Sequence, residues 1–299
     1  MRIHFIGIGE CMMGDLAGAL CLQGHTVTGS DEHFSASLLP RLKDSGLMPA
    51  QPGWFPAKIK HGLDKVIVGR QVHADNPELL AAQQLGLSLC SYPEYIYAYA
   101  QDKRRVVITG GEEKTLLCRL VVHVLAYLRK AFDYAVDAPT LATRVRLSDA
   151  PIIILEGDAA PSSSIDLRPQ SLCYQHNVVL IGGIGWVASA TYPTLAAYLQ
   201  YVTSLADASP KGGVLIYCEE DKAVKSIGSK ARADVKPEAY KAHRHKGAQG
   251  HLITPQGAVP FPYTDVASMR AVAGAQRLVR NLGITDERFY GALASFRVA

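Results

Sequence analysis

No apolar run in these 299 residues reaches the roughly 20 positions that a membrane-spanning helix needs. Met1 leads directly into an apolar strand, so a signal peptide is not expected. The chain is short of charge, at 19% Asp, Glu, Lys and Arg, while 48% is hydrophobic, which excludes a disordered polyelectrolyte and fits a soluble globular protein. Its six cysteines (Cys11, Cys21, Cys90, Cys118, Cys173 and Cys218) form no CxxC pair and have no histidines at metal-ligand spacing. Buried free thiols in a reducing, cytoplasmic setting are therefore expected, with no metal site. Internal repeats and low-complexity tracts are lacking too. The net charge is only +4, and the one basic stretch, Lys236 to Lys246, comes without a recognised nucleic-acid module, so neither nucleic acid nor membrane is expected as a partner.

What is there is organised around Val106 to Val122. An apolar strand (Val106, Val107, Ile108) breaks at Thr109-Gly110-Gly111 and resumes as a helix from Leu116. Strand, glycine turn, Lys-Thr and helix outline a phosphate-binding P-loop, whose backbone N–H groups and helix N-terminus converge on phosphate oxygens. The bland reading is an ordinary strand-to-helix turn. The position before Lys114 ought to be glycine, so that backbone and phosphate can approach. Here it is Glu113, beside Glu112. At about 4 Å and an effective dielectric of about 20, one carboxylate–phosphate repulsion is worth roughly 4 kcal/mol. Lys114 is accordingly expected to pair locally with these two glutamates.

The N-terminal third reads as a second nucleotide-type unit. Residues 2–9 form a strand ending in Gly7-x-Gly9, a helix follows from about Met13 to Gln23, and a strand at 26–28 ends in Gly29-Ser30-Asp31. An acidic residue about 20 positions after the glycines is the dinucleotide-fold arrangement. Glu10 and Met12 replace small residues there, which disfavours a nicotinamide cofactor. Further strands are expected at 66–69 and 87–91, with helices at 38–45, 77–85 and 93–100; Asn76 is read as a helix cap and Pro77 as its first turn. The charged run Gln101 to Arg105 marks the domain boundary, giving domains 1–103 and 104–299. Beyond it, strands are expected at 151–155, 178–181 and 213–218, helices at 116–131, 193–205, 267–282 and 286–296, and a hairpin at 250–259 with its turn at Pro255-Gln256-Gly257. Residues 219–245 read as mixed.

Taken together, HFIGIG (4–9) with Met13, GSD (29–31), DNPEL (75–79), the strand–Gly–Lys-Thr–helix at 106–120, EGD (156–158) and LGITDERFYGALASF (282–296) resemble the Mur ligases in collinear order. They are most similar to the branches that attach alanine or a whole murein peptide. The resemblance implies a Rossmann-like parallel-sheet domain for a UDP-sugar and a central P-loop-like α/β domain for ATP. A third domain would hold the incoming amine; the chain stops where that domain begins. It also implies UDP-muramyl binding through Gly7, Gly9, Met13, Ser30 and Asp31, with Arg70 as a further phosphate contact or a plain surface arginine. Glu10 puts that binding in doubt.

Four departures weaken the implied ATP chemistry. The family's G-[ST]-H-G-K-T is Gly110-Gly111-Glu112-Glu113-Lys114-Thr115. Its E-[AG]-D-E-Y is Glu156-Gly157-Asp158-Ala159-Ala160, so a magnesium-binding glutamate is Ala159. Its D-H pair is Val187-Ala188, after Trp186. Its adenine-packing G-x-H-N aligns with Asp265 to Ser268. Lys114, Thr115, Glu156 and Asp158 then remain as vestiges, and ATP and magnesium are expected to be lost. The leading expectation is a catalytically inactive homologue that binds a UDP-muramyl compound, a protein partner or a second copy. The alternatives are an active ATP-dependent ligase with relocated residues and a module that binds no nucleotide.

Overall fold

A computed structural model describes residues 1–247, 250–255 and 257–297. The chain divides into two compact units. The first comprises residues 1–101, 142–149 and 159–174; the second comprises 102–141, 150–158 and 175–299.

In chain order the first unit carries β1 (Arg2–Ile6), α1 (Cys11–Leu22), β2 (Thr26–Ser30), α2 (Leu39–Asp44), β3 (Lys65–Val68), α3 (Pro77–Gln84), β4 (Leu89–Ser91) and α4 (Tyr92–Tyr99). The order β2-β1-β3-β4 is parallel throughout, as alternating strands and crossover helices require. Ile6, Val66, Val68, Leu79 and Ala82 form part of its core. Asn76 caps α3 as the sequence predicts, accepting the N–H groups of Glu78 and Leu79 at 2.9 and 3.1 Å. Ser91 and Glu94 close a reciprocal capping box on α4.

The second unit begins with β5 (Arg104–Thr109), α5 (Lys114–Tyr127) and β6 (Asp133–Ala135). Next along the chain is β7 (Val145–Arg146), which lies in the first unit, and then β8 (Ile152–Glu156) of the second. The first unit also holds β9 (Pro161–Ser163), β10 (Asp166–Pro169) and α6 (Gln170–Cys173). The second resumes with β11 (Val178–Ile181), α7 (Leu195–Asp207), β12 (Val214–Cys218), α8 (Lys222–Gly228), β13 (Lys236–Tyr240), β14 (His245–Lys246), β15 (His251–Thr254), β16 (Gly257–Pro260), α9 (Val266–Asn281) and α10 (Asp286–Leu293). Its main strands run β13-β12-β11-β5-β8-β6, all parallel. Helix α5 buries Leu117, Leu120, Val121, Val124 and Leu125, an i, i+3, i+4 stripe. The predicted hairpin is β15–β16; Gln256, in its predicted turn, lies outside the described residues.

Two segments expected in the second domain sit in the first unit. The Arg144 N–H donates to Asp15 Oδ2 at 2.7 Å, and the same carboxylate takes Arg41 Nε at 2.6 Å. Arg168 in β10 reaches Glu94 in α4 at 2.7 Å. Such long-range polar contacts leave no local trace in a sequence. All six cysteines are free thiols, and among the described residues no helix is long and apolar enough to cross a membrane.

Candidate functional site

In each unit the strand order reverses direction at one point of the parallel sheet, and the loops at the carboxyl ends of the strands there are taken as the first and second crevice. In open α/β sheets ligands bind at that switch point. In the first unit it lies between β1 and β3, and in the second between β5 and β11.

At the first crevice the chain leaves β1 through Gly7, whose φ of +93° suits glycine. The loop's donors are met by the protein itself. The N–H groups of Gly7 and Ile8 go to the carbonyl of Ser30 at 2.9 and 3.3 Å. Gly9 N–H goes to Asp31 Oδ2 at 2.8 Å, and Asp31 Oδ1 takes the N–H of His33 at 3.0 Å. Burial pushes the Asp31 carboxyl above its ordinary range despite these donors. Ser30 is buried and receives Lys58 Nζ at 3.2 Å. Met13 is buried within α1, facing the core. Glu10 then bends across the crevice: its Oε1 accepts the Gln71 N–H at 3.0 Å. Burial raises its carboxyl as well, opposed by that N–H and by the charge of Arg70, which is itself exposed. The candidate UDP contacts Gly7, Gly9, Ser30 and Asp31 are thus gathered into one loop cluster. Asp31, expected beside a nucleoside, spends both oxygens on the protein's own backbone.

At the second crevice the expectation for Lys114 needs correction. It does not pair with Glu112 or Glu113. Its Nζ lies 3.3 Å from Glu156 Oε1 at the end of β8 and 3.3 Å from the Gly157 carbonyl. The turn into α5 aims Lys114 across the loop, so a distant residue outcompetes its sequence neighbours. Thr115 Oγ1 donates to the same Glu156 oxygen at 3.2 Å, and Asp137 N–H donates to Oε2 at 2.9 Å. Desolvation works against the Lys114 charge, but Glu156 and Asp158 outweigh it and hold the ammonium protonated. The four vestigial residues are brought together, with each polar atom of Lys114, Thr115 and Glu156 already engaged.

Glu112 is exposed, whereas Glu113 is buried. The Glu113 carboxylate turns away from its own helix and caps nothing in α5. It accepts instead the N–H of Gly183, in the loop after β11. A Cβ at Gly182 would collide with Glu113 Oε1, and one at Gly110 would stand 3.1 Å from it. The next N–H, of Ile184, goes to Asp221 Oδ2 at 2.9 Å. The segment aligned with the adenine motif serves as a helix start, with Asp265 capping α9 through the N–H and hydroxyl of Ser268, at 2.8 and 2.6 Å. Trp186 donates its indole N–H to the Tyr192 carbonyl at 3.0 Å. Sequence inspection missed Lys58, Asp221 and the destination of Glu113. Gly182-Gly183 after an apolar strand was the available signal for the last.

Two parallel α/β units, each with a glycine turn after its leading strand, define a Rossmann-like and a P-loop-like class of fold. Residues 2–104 match the Mur ligase family, catalytic domain. UDP-N-acetylmuramate–L-alanine ligase from Arthrobacter sp. (strain FB24) is 27% identical over 314 residues, covering 99% of this chain and 64% of that protein. The solved UDP-N-acetylmuramate:L-alanyl-gamma-D-glutamyl-meso-diaminopimelate ligase from Neisseria meningitides superimposes with a TM-score of 0.88 at 18% identity, covering 100% of this chain and 98% of that one. The murein peptide ligase of Psychrobacter arcticus 273-4 gives 0.84 at 17% identity, covering 99% and 68%. The Mur ligase family match covers residues 2–104, and the chain shares the fold of these solved ligases along its whole length. The chain spans between 61% and 64% of the length of the first curated relatives it matches.

Proposed function

We propose that this chain is a Mur ligase homologue that no longer carries out ATP-driven ligation and serves peptidoglycan metabolism by binding. Its ligand is a UDP-muramyl compound, held by the Gly7–Gly9 loop, Ser30, Asp31 and Arg70, or else a protein partner or a second copy of the chain. The observation that carries this reading is the placement of Glu113. Its buried carboxylate sits where the β5–α5 loop would receive a phosphate and takes the Gly183 N–H. ATP with magnesium does not fit the residues as they stand, because the cradle holds an anion already and Lys114 is neutralised by Glu156. The rival reading, an active ATP-dependent amide ligase, draws on the surviving cluster of Lys114, Thr115 and Glu156.

Calorimetry with magnesium-ATP is expected to give no binding heat. Micromolar binding together with ADP release would establish the rival instead. UDP-N-acetylmuramate at 100 times its dissociation constant is expected to stabilise the protein by about 2.7 kcal/mol in a thermal-shift assay. No shift with that ligand would leave a module that binds no nucleotide.

A further inference from the structure

We infer that the Glu113 carboxylate is a resident stand-in for an oxyanion ligand: the second unit keeps an anion cradle, and the chain fills it with its own side chain. This rests on the reading above that the loop holds no nucleotide, and it goes on to say what holds the loop in shape instead.

The carboxylate lies at the switch point between β5 and β11, the place where an open parallel sheet takes a ligand. Its walls are glycine. Cβ atoms built on Gly110, Gly111 and Gly183 would stand 3.1 to 3.4 Å from one of its oxygens, and one on Gly182 would overlap it. A side chain is excluded at Gly182 and crowded at Gly110 and Gly183, as happens where backbone cradles a phosphate. A buried carboxylate left unpaired is costly, and this one is met by the Gly183 N–H and by the field of Arg270, which itself pairs with Glu220 at 3.1 Å. Tyr198 and Tyr240 also face its charge.

The first unit repeats the arrangement independently. Glu10 directly follows Gly7-x-Gly9, and Glu113 lies two positions after Gly111. It bridges from the loop after β1 to the Gln71 N–H after the adjacent β3, again at the switch point. A Cβ on Gly69 would lie 2.6 Å from its Oε1. In both units a carboxylate from the glycine turn ties together two strand-end loops, and in the first unit a UDP-muramyl ligand would have to displace Glu10 from the Gln71 N–H. Residues that had merely drifted to acid would be expected to point into water, as Glu112 does.

The test is anion rescue in the full chain. Glu113→Ala is melted in phosphate-free buffer with inorganic pyrophosphate or with chloride at matched ionic strength. The variant is expected to melt several degrees below the native protein, and pyrophosphate is expected to restore at least half of that loss while chloride does not. Native protein is expected to show no pyrophosphate shift, and Glu113→Gln, which keeps an acceptor oxygen, is expected to lose less and gain no shift. If Glu113→Ala does not fold without the anion, the same comparison is read as refolding yield. No recovery, equal recovery with chloride, or equal pyrophosphate binding by the native protein would overturn the inference. Magnesium-ATP turnover by the native protein is measured separately, and it would overturn the preceding reading rather than the cradle.

Discussion

Glu112→His combined with Glu113→Gly, which rebuilds the family's loop, is expected to release no ADP above the buffer blank. The double change empties the cradle and frees the Gly183 N–H. It leaves Lys114 on Glu156 and Gly157, and Thr115 on Glu156. It does not touch Ala159, Val187 or Ala188, whose side chains have no oxygen or nitrogen to offer a metal where the family resemblance implies a ligand. Phosphoryl transfer depends almost wholly on positioned cations and donors, and one such charge is worth about 10³ to 10⁵ in rate in well-studied cases. Restoring the loop alone therefore replaces a small part of the machinery. The assay is coupled ADP detection with magnesium-ATP and UDP-N-acetylmuramate. Measurable turnover would mean that Glu156 and Asp158 suffice as metal ligands, and that Glu113 alone holds the chemistry off. Binding of pyrophosphate by this variant without turnover is the combination that both proposals require.

The parts of the fold that could be read from sequence are those with a local signature. Strand β1, its glycine turn and α1 follow from an apolar run and helical spacing. Asn76-Pro77 announces α3 because a side-chain cap and a prefixed φ act within four residues. Helix α5 begins two residues earlier than its apolar stripe, since Lys114 and Thr115 are drawn into the first turn by Glu156. Strand β13 was hidden: Lys-Pro-Glu-Ala-Tyr has no alternation and contains proline, and it pairs only on the β12 side. Motifs in the sequence single out the candidate site residues but not their partners. Lys114 was expected to bond its neighbours, and Asp31 a ligand; each is engaged instead by groups that only the tertiary fold brings near. Two adjacent acids could be seen in the sequence, whereas the burial of one and the exposure of the other could not.

The largest expected loss of stability comes from the first unit. His4 and Glu78 form a fully buried pair at 3.1 Å, with both side chains shielded from solvent. The other imidazole nitrogen lies 2.8 Å from Thr28 Oγ1, and Glu78 Oε1 accepts the Phe55 N–H at 2.6 Å. Glu78→Ala removes the acceptor for both His4 and Phe55 in one step, which should cost about 3–5 kcal/mol, the range for breaking a buried pair from one side. Glu78→Gln keeps an acceptor oxygen and should lose less. Burial pushes the Glu78 carboxyl up, but the hydrogen bond and charge of His4, with the Phe55 N–H and Ser30, outweigh it, so its folded pKa lies below the ordinary value of 4.5. A carboxyl depressed in the folded state stabilises above its unfolded pKa, and loses that contribution as pH falls through its folded pKa. The advantage of native protein over Glu78→Gln is therefore expected to shrink as pH falls below about 4.5. Each unit contains one of the two tryptophans, Trp54 and Trp186, so urea unfolding followed by Trp54 fluorescence in a Trp186→Phe background reports the first unit alone. A loss below about 1 kcal/mol for Glu78→Ala would show that water enters and satisfies His4, and the pair would then be a replaceable contact rather than the polar centre of that unit.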